Sequence, residues 1–250
     1  MHVSRLGLTP LKGTRHVDLE HVDLMLDGPV GDRVFCLVDR ARGRVLRTVE
    51  NPSLMRTEAA WHGGVLTTRL PGRTVEDVPT GTGEKLEVDY WGRVAALEVV
   101  TGPWAAAYSD FLGHDVVLAR SARPGEIVYG GSVSLVTSSS LDRVARDVGP
   151  VDSAQFRATF TLETTGQEPF VEEGWVGCRP LRVGEAEVEV RSVLPRCAVV
   201  DLDPATGERS ADVLKSLAGY RRSLGEIVFG VDAVVTRPGR VEVGATVERG

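Results

Sequence analysis

Leu194-Pro195-Arg196-Cys197-Ala198-Val199-Val200-Asp201-Leu202-Asp203-Pro204-Ala205-Thr206-Gly207 is the stretch from which the rest of the chain is read. It follows apolar positions at Val188, Val190 and then Val193, the spacing of a strand with one apolar face. Pro195 cannot donate to a ladder, so the strand should turn there. Cys197 then opens a second short apolar run, closed by the turn residues Asp203 to Gly207. The expectation is a cysteine at a bend between two strands, with Arg196 beside it. A neighbouring guanidinium favours thiolate over thiol, and thiolate is the form that attacks and that binds soft metals. A lone cysteine in a strand is also commonly a small buried apolar residue. Exposure decides between the two, and spacing does not encode exposure.

Composition narrows the class. A chain of 250 residues is long enough for one large β domain or two smaller ones, and a hydrophobic fraction of 42% supports a real core. With 28 glycines, few aromatics and valine in short runs, it favours many strands and tight turns. The formal charge of −6 gives no basic stripe for a nucleic-acid partner. The three cysteines, Cys36, Cys178 and Cys197, form neither a C-x-x-C pair nor an iron–sulfur spacing. A reducing compartment is the simpler assumption. No secretory leader pattern is evident, and no apolar run approaches the roughly 18 residues of a membrane span. The expectation is a soluble, cytoplasmic protein without a membrane partner.

Working outward, Met1 to Thr9 reads as a strand broken by Pro10-Leu11-Lys12-Gly13. Val30 to Asp39 is a turn feeding a strand apolar on both faces, hence buried, and Arg44 to Thr48 returns as its hairpin partner. Arg33, at the mouth of that strand, has Asp32 and Asp39 as possible partners. Asn51 to Gly92 reads as a meander of short strands, in which Gly81-Thr82-Gly83 is a turn and not a phosphate loop. Trp104, Ala107, Tyr108 and Phe111 give helical spacing ended by Gly113. A composition break at Ser121 to Gly125 sets the expected domains at 1–122 and 123–250. Val133 to Val136 is a strand, and Leu141, Val144, Ala145 and Val148 are a helix up to Gly149. Between them lie Thr137, Ser138, Ser139 and Ser140. A hydroxyl-rich turn at a helix N-terminus suits an anion, and it also suits plain N-capping. Gln155 to Leu162 reads as a further strand, and Ser210 as the cap of a helix carrying Val213, Leu214, Leu217 and Tyr220.

Pro-Arg-Cys, a short apolar run and Asp-Pro-x-Thr-Gly resemble the cysteine segment of MOSC domains. Those domains occur in molybdenum cofactor sulfurase C-termini and in the mitochondrial amidoxime-reducing proteins and their bacterial relatives. Pro10-Leu11-Lys12 resembles the turn that opens the N-terminal β-barrel domain of the same family, with Gly13 where serine is usual. Gly31-Asp32-Arg33 matches that domain as well. Phe156-Arg157 resembles the family's Phe-Arg-x-Asn segment, with Thr159 where asparagine is usual. Trp175, Tyr220-Arg221 and Phe229-Gly230-Val231 follow in the family's order, so the resemblance covers nearly the whole chain.

The resemblance implies a mainly β fold with a few short helices (α+β): an N-terminal β-barrel-like domain followed by a MOSC β-barrel domain. It implies a molybdenum cofactor in the cleft between them. Lys12, Arg33, Arg157 and Arg196 would supply charge, Thr159 a polar contact, and Thr137 to Ser140 would receive the phosphate. Cys197 would ligate molybdenum and serve as the catalytic residue. The implied reaction is reduction of a small N-hydroxylated or N-oxide substrate, with electrons from a separate reductase because cluster cysteines and flavin motifs are absent. Two alternatives remain. In one, Cys197 carries a persulfide taken from a separate cysteine desulfurase. In the other, the chain only binds the cofactor. Neither H-E-x-x-H nor G-x-S-x-G occurs.

Overall fold

The computed structural model describes residues 1–250. Strands dominate, and the three α-helices are short: α1 Trp104–Leu112, α2 Ser138–Val148 and α3 Val213–Ala218. The fold is mainly β with a closed barrel in its first half, as the sequence suggests.

Five strands close that barrel: Gly81–Tyr90, Arg93–Val100, Val117–Ser121, Phe35–Asp39 and Arg44–Val45. The seam is a parallel contact, Asp89 against Arg44. Phe35–Asp39 is buried at every position, which explains its unbroken apolar run. Cys36 and Val38 point into the barrel core with Val88, Ala95 and Leu97. Phe35 and Leu37 point outward, into a second core with Leu54, Trp104 and Tyr108. The alternation of a strand thus fills two layers at once. Cys36 is core, and burial pushes its thiol up to about 12.

The second half is built on a nine-stranded sheet whose long centre strand is Glu226–Arg237. That strand pairs antiparallel with Val133–Thr137 on one side and with Ala186–Pro195 on the other. The start of the chain belongs to this sheet: His2–Leu8 pairs with Phe160–Glu163. His21–Met25 likewise pairs with Gly239–Glu242 near the C-terminus. Val3, Leu6, Val22 and Leu24 therefore share one core of 20 buried residues with Val188, Val231 and Val235. After Pro10 the chain touches the barrel side at Leu11, comes back for His21–Met25, leaves through Pro29 to build the barrel and returns through residues 122–132.

Four local expectations are corrected. Gly81-Thr82-Gly83 is not a turn: it opens the Gly81–Tyr90 strand, whose register against Arg93–Val100 shifts between Gly81 and Lys85. The apolar run after Cys197 is a 3₁₀ turn, Ala198–Asp201, and not a second strand. Its buried Val200 packs under α3 with Val213 and Leu217, and Asp201 holds the Leu214 N–H at 2.7 Å. Four apolar residues are too few for periodicity to separate a strand from such a turn. Residues 155–159 are not strand either. A capping box of Asp152 and Gln155 winds Ser153–Phe156 into a 3₁₀ turn, and only Phe160–Glu163 extends. The last helix is capped at Asp212 and ends at Ala218, so Tyr220 lies beyond it. By contrast α1 stops at Gly113 in the left-handed region (φ 75°), as read from the sequence.

Phe156 and Phe229 stack with centroids 4.4 Å apart, and both sit in the core under α2 and α3. Phe229→Ala should cost about 3–5 kcal/mol of stability, read as a lower urea midpoint at an unchanged slope. An unchanged midpoint would show that this core does not hold the second half together.

Candidate functional site

A cleft of about 440 Å³ opens where the barrel, the 122–132 connection and the second half meet. Its lining joins Lys12 and Arg33 from the first half to Arg157, Arg196 and Cys197 from the second. Five of the residues expected from the sequence thus meet in one place, although up to 185 positions of chain separate them (from Lys12 to Cys197).

Each is held by a different device. Lys12 follows the Pro10 break, and its N–H donates to the Phe35 carbonyl at 2.8 Å. Its ammonium lies 4.8 Å from the Tyr90 ring centroid. Arg33 sits at φ 47° and Arg157 at φ 51°, in the left-handed region that side chains rarely adopt. Arg33 ion-pairs with Asp32, as its position suggested. The other Asp32 oxygen accepts the Thr9 N–H at 2.9 Å, and the Thr9 hydroxyl accepts from Arg157 at 2.9 Å. Arg33, Asp32, Thr9 and Arg157 therefore form one chain of polar contacts across the halves.

Arg196 donates to the backbone carbonyls of Phe156 (2.7 Å) and Phe229 (2.8 Å). Gly230 beside it has φ 70°, and a Cβ there would lie 2.5 Å from the Leu135 carbonyl and 3.2 Å from the Arg196 guanidinium. Cys197 is exposed and free, on extended backbone (φ −118°, ψ 177°) at the start of the 3₁₀ turn. The structure thus removes the buried-apolar reading of this cysteine.

The electrostatics are unusual for a chain of charge −6. Lys12, Arg33, Arg47, Arg157 and Arg196 line the cleft against only Glu226 and Asp232. The Asp232 carboxylate is already engaged by the N–H groups of Gly131 and Ser192. Burial, aided by repulsion from Arg33 and Arg157, pushes the Lys12 ammonium down to about 7. Burial also lowers Arg157 and Arg196 to about 10. The buried Nη1 of Arg157 and Nη2 of Arg196 have no hydrogen-bond partner. Unpaired buried guanidinium N–H groups in a cleft of this sign are donors suited to an anion.

Two expected contacts lie elsewhere. Thr137, Ser138, Ser139 and Ser140 do begin α2, but the protein's own groups engage all four hydroxyls. Thr137 and Ser140 donate to the buried Glu172 carboxylate at 2.7 and 2.9 Å. Ser138 donates to Glu163 at 2.9 Å, and Ser139 pairs with Thr164 at 2.9 Å. The anion at this helix start is Glu172 itself, whose carboxyl burial pushes up despite these donors. Thr159 is buried off the cleft and exchanges hydrogen bonds with Ser134, which does line it. Thr159 acts there by positioning Ser134.

No cluster of three or more His, Cys, Asp or Glu side chains is placed to hold a metal ion. Cys197 is the one thiol in the cleft lining. The sequence reading missed Tyr90, Trp91, Tyr129 and Arg47 on the barrel side of the cleft. One signal was available: Trp91-Gly92 stands at a hairpin turn where Asn-Gly is the usual pair.

Residues 120–248 match the MOSC domain family, and residues 1–114 match the MOSC N-terminal beta barrel domain. The chain belongs to the MOSC family. It is 34% identical over 84 residues to a molybdenum cofactor sulfurase of Oryza sativa subsp. japonica, a match covering 33% of this chain and 10% of that protein. A molybdenum cofactor sulfurase of Solanum lycopersicum is 33% identical over 72 residues, 28% of this chain and 8% of that protein. The chain thus matches about a tenth or less of these relatives. Among solved structures, the YuaD protein from Bacillus subtilis aligns over 98% of this chain and 92% of its own, at 12% identity and a TM-score of 0.45. YiiM from Geobacillus stearothermophilus aligns over 48% of this MOSC chain and 54% of its own, at 19% identity and a TM-score of 0.35. No helix is long and apolar enough to cross a membrane.

The cleft predicts a pH signature. A dianion beside Lys12 stabilises its ammonium, so binding takes up a proton once the pH exceeds the free value of about 7. Sulfate, whose charge is constant near neutrality, should therefore bind more weakly as pH rises from about 6 to 8.5 at fixed ionic strength, because Lys12 loses its charge across that window. Lys12→Met should flatten the profile at the high-pH affinity. A flat wild-type profile in calorimetric titration would contradict a titrating Lys12.

Proposed function

We propose that the cleft holds the molybdenum cofactor, with Cys197 as a thiolate ligand of molybdenum, and that the protein reduces small N-hydroxylated or N-oxide substrates. The observation that carries this is the pairing of one exposed thiol with partnerless buried guanidinium groups on Arg157 and Arg196. The fit is chemical. An anionic, phosphate-bearing cofactor needs fixed cations, and a metal that arrives with its other ligands needs one soft donor from the protein. When bound, the cofactor supplies the two-electron redox chemistry at molybdenum.

The chain's own groups bind, orient and move protons. Arg157 and Arg196 offer their free N–H groups to anionic oxygens, and the contact of Arg157 with Thr9 fixes its plane. Arg33, braced by Asp32, adds charge without moving. Lys12, whose ammonium the bound anion would stabilise above its free value of about 7, is placed as the proton donor to an oxygen leaving nitrogen. The overall change is balanced: the N–O bond breaks, two electrons and two protons enter, and water leaves. The electrons come from a separate reductase, since Cys36, Cys178 and Cys197 offer no cluster site.

The similarity to plant molybdenum cofactor sulfurases supports a second reading, in which Cys197 carries a persulfide received from a separate cysteine desulfurase. Its exposure beside Arg196 suits thiolate exchange equally.

Metal and pterin analysis of the chain from a cofactor-competent host, beside Cys197→Ala, separates the two. About one molybdenum per chain, lost or labile in the variant while pterin stays, is the outcome expected of a metal-ligating thiolate. Metal and pterin equally retained in the variant would remove Cys197 as a ligand. A chain without either, bearing a persulfide on Cys197 after exposure to a desulfurase, would establish the second reading.

A further inference from the structure

The barrel-side mouth of the cleft carries two exposed aromatic rings that the proposed chemistry does not use. Trp91 is 46% exposed and Tyr129 is 55% exposed, and both line the same cavity as Lys12 and Arg157. They come from opposite sides. Trp91 sits at the tip of the barrel hairpin between Gly81–Tyr90 and Arg93–Val100, and Tyr129 lies on the connection leading into the second half. Their centroids are 5.8 Å apart with planes inclined at 56°, so they stand as an open wedge. The Arg47 guanidinium lies 4.7 Å from the Trp91 ring centroid.

Trp91 costs the fold stability where it stands. The hairpin loop has two residues, Trp91 at φ 56° and Gly92 at φ 76°. Two positive φ values in a two-residue loop define a turn that asparagine or glycine fills readily and an aromatic residue does not. The ring finds no core in exchange. Of the five non-glycine residues at positive φ, three line the cleft: Arg33, Trp91 and Arg157. Backbone strain collects where function requires a side chain at a particular place.

Tyr129 is brought to Trp91 by fixed contacts. Arg93, next to the turn, donates to the carbonyls of Glu126 and Val128, and Glu126 accepts the Ala96 N–H at 3.1 Å. Ile127 is buried in the barrel core. The connection is thus pinned to the barrel from Glu126 to Val128, the residue before Tyr129, which holds the ring at the mouth.

We infer that Trp91 and Tyr129 form a stacking subsite that selects small molecules carrying a planar aryl or heteroaryl ring, with the polar head directed toward Lys12 and Cys197. An aromatic wedge favours flat rings through dispersion and edge-to-face contacts, and it offers a short aliphatic tail much less. This inference rests on the reading of the cleft as a substrate site and adds the substrate class.

Benzohydroxamic acid and acetohydroxamic acid share a head and differ in the ring, and their binding to the full chain isolates the subsite. Affinities are compared by calorimetry for wild type, Trp91→Asn, Trp91→Phe and Tyr129→Ser. Trp91→Asn keeps the turn, since asparagine tolerates positive φ, and should melt no lower than wild type. Wild type should prefer the aryl ligand roughly tenfold, and Trp91→Asn and Tyr129→Ser should reduce the preference to about twofold or less. Trp91→Phe should retain most of it. A wild-type chain without ring preference, or a preference that persists in both Trp91→Asn and Tyr129→Ser, would overturn the inference. Ring preference that depends on Trp91 in a chain containing no molybdenum would leave the subsite standing while the cofactor reading fails.

Discussion

Like charges held together in a half-buried cleft are the constraint on which the rest of this molecule turns. Burial depresses the protonation of Lys12 and of Arg157, and the neighbouring Arg33 charge depresses both further. Such an arrangement is unfavourable alone and persists only if the surrounding structure imposes it. Asp32 is the principal compensating charge, bound to Arg33 and to the Thr9 backbone. Backbone carbonyls of Phe156 and Phe229 do the same for Arg196. The remaining deficit is carried by buried N–H groups without partners, which an anion would satisfy.

The chain path explains how the two halves can be held rigidly enough for this. Its first strand and the His21–Met25 strand are integral to the second half's core. The Lys12 and Arg33 segments therefore leave that core and enter the barrel with little slack, and Thr9 sits at the crossing with contacts to both arginines. On the far side, Arg93 and Glu126 tie the returning connection to the barrel. The cleft is walled on two sides by crossings of the chain, and the aromatic pair stands at one of them.

Much of this was legible in the sequence. The two-sided apolar run Phe35–Asp39 announced a buried strand and Gly113 and Gly149 marked helix ends, whereas the spacing around Pro-Arg-Cys left a buried apolar cysteine open. The convergence of Lys12, Arg33, Arg157 and Cys197 came from resemblance to the MOSC family, because spacing contains no information on long-range contact. What misled was local ambiguity. A run of four hydroxyls at a helix start has the same appearance whether it awaits an external phosphate or an internal carboxylate, and Glu172 lies 32 residues from Ser140. The 3₁₀ turn after Cys197 depends on α3 packing over it, which a short apolar run cannot express. Trp91 escaped notice because its meaning lies in a backbone angle and in a neighbour, Tyr129, 38 residues on.

Molybdenum K-edge X-ray absorption on the intact chain and on Cys197→Ser addresses the central claim most directly, since it counts the sulfur atoms bound to the metal. A thiolate ligand from the protein predicts a spectrum that loses one sulfur scatterer in the variant and gains an oxygen or nitrogen in its place. Identical sulfur counts in the two proteins would contradict the placement of Cys197 at the metal, whatever else the cleft binds.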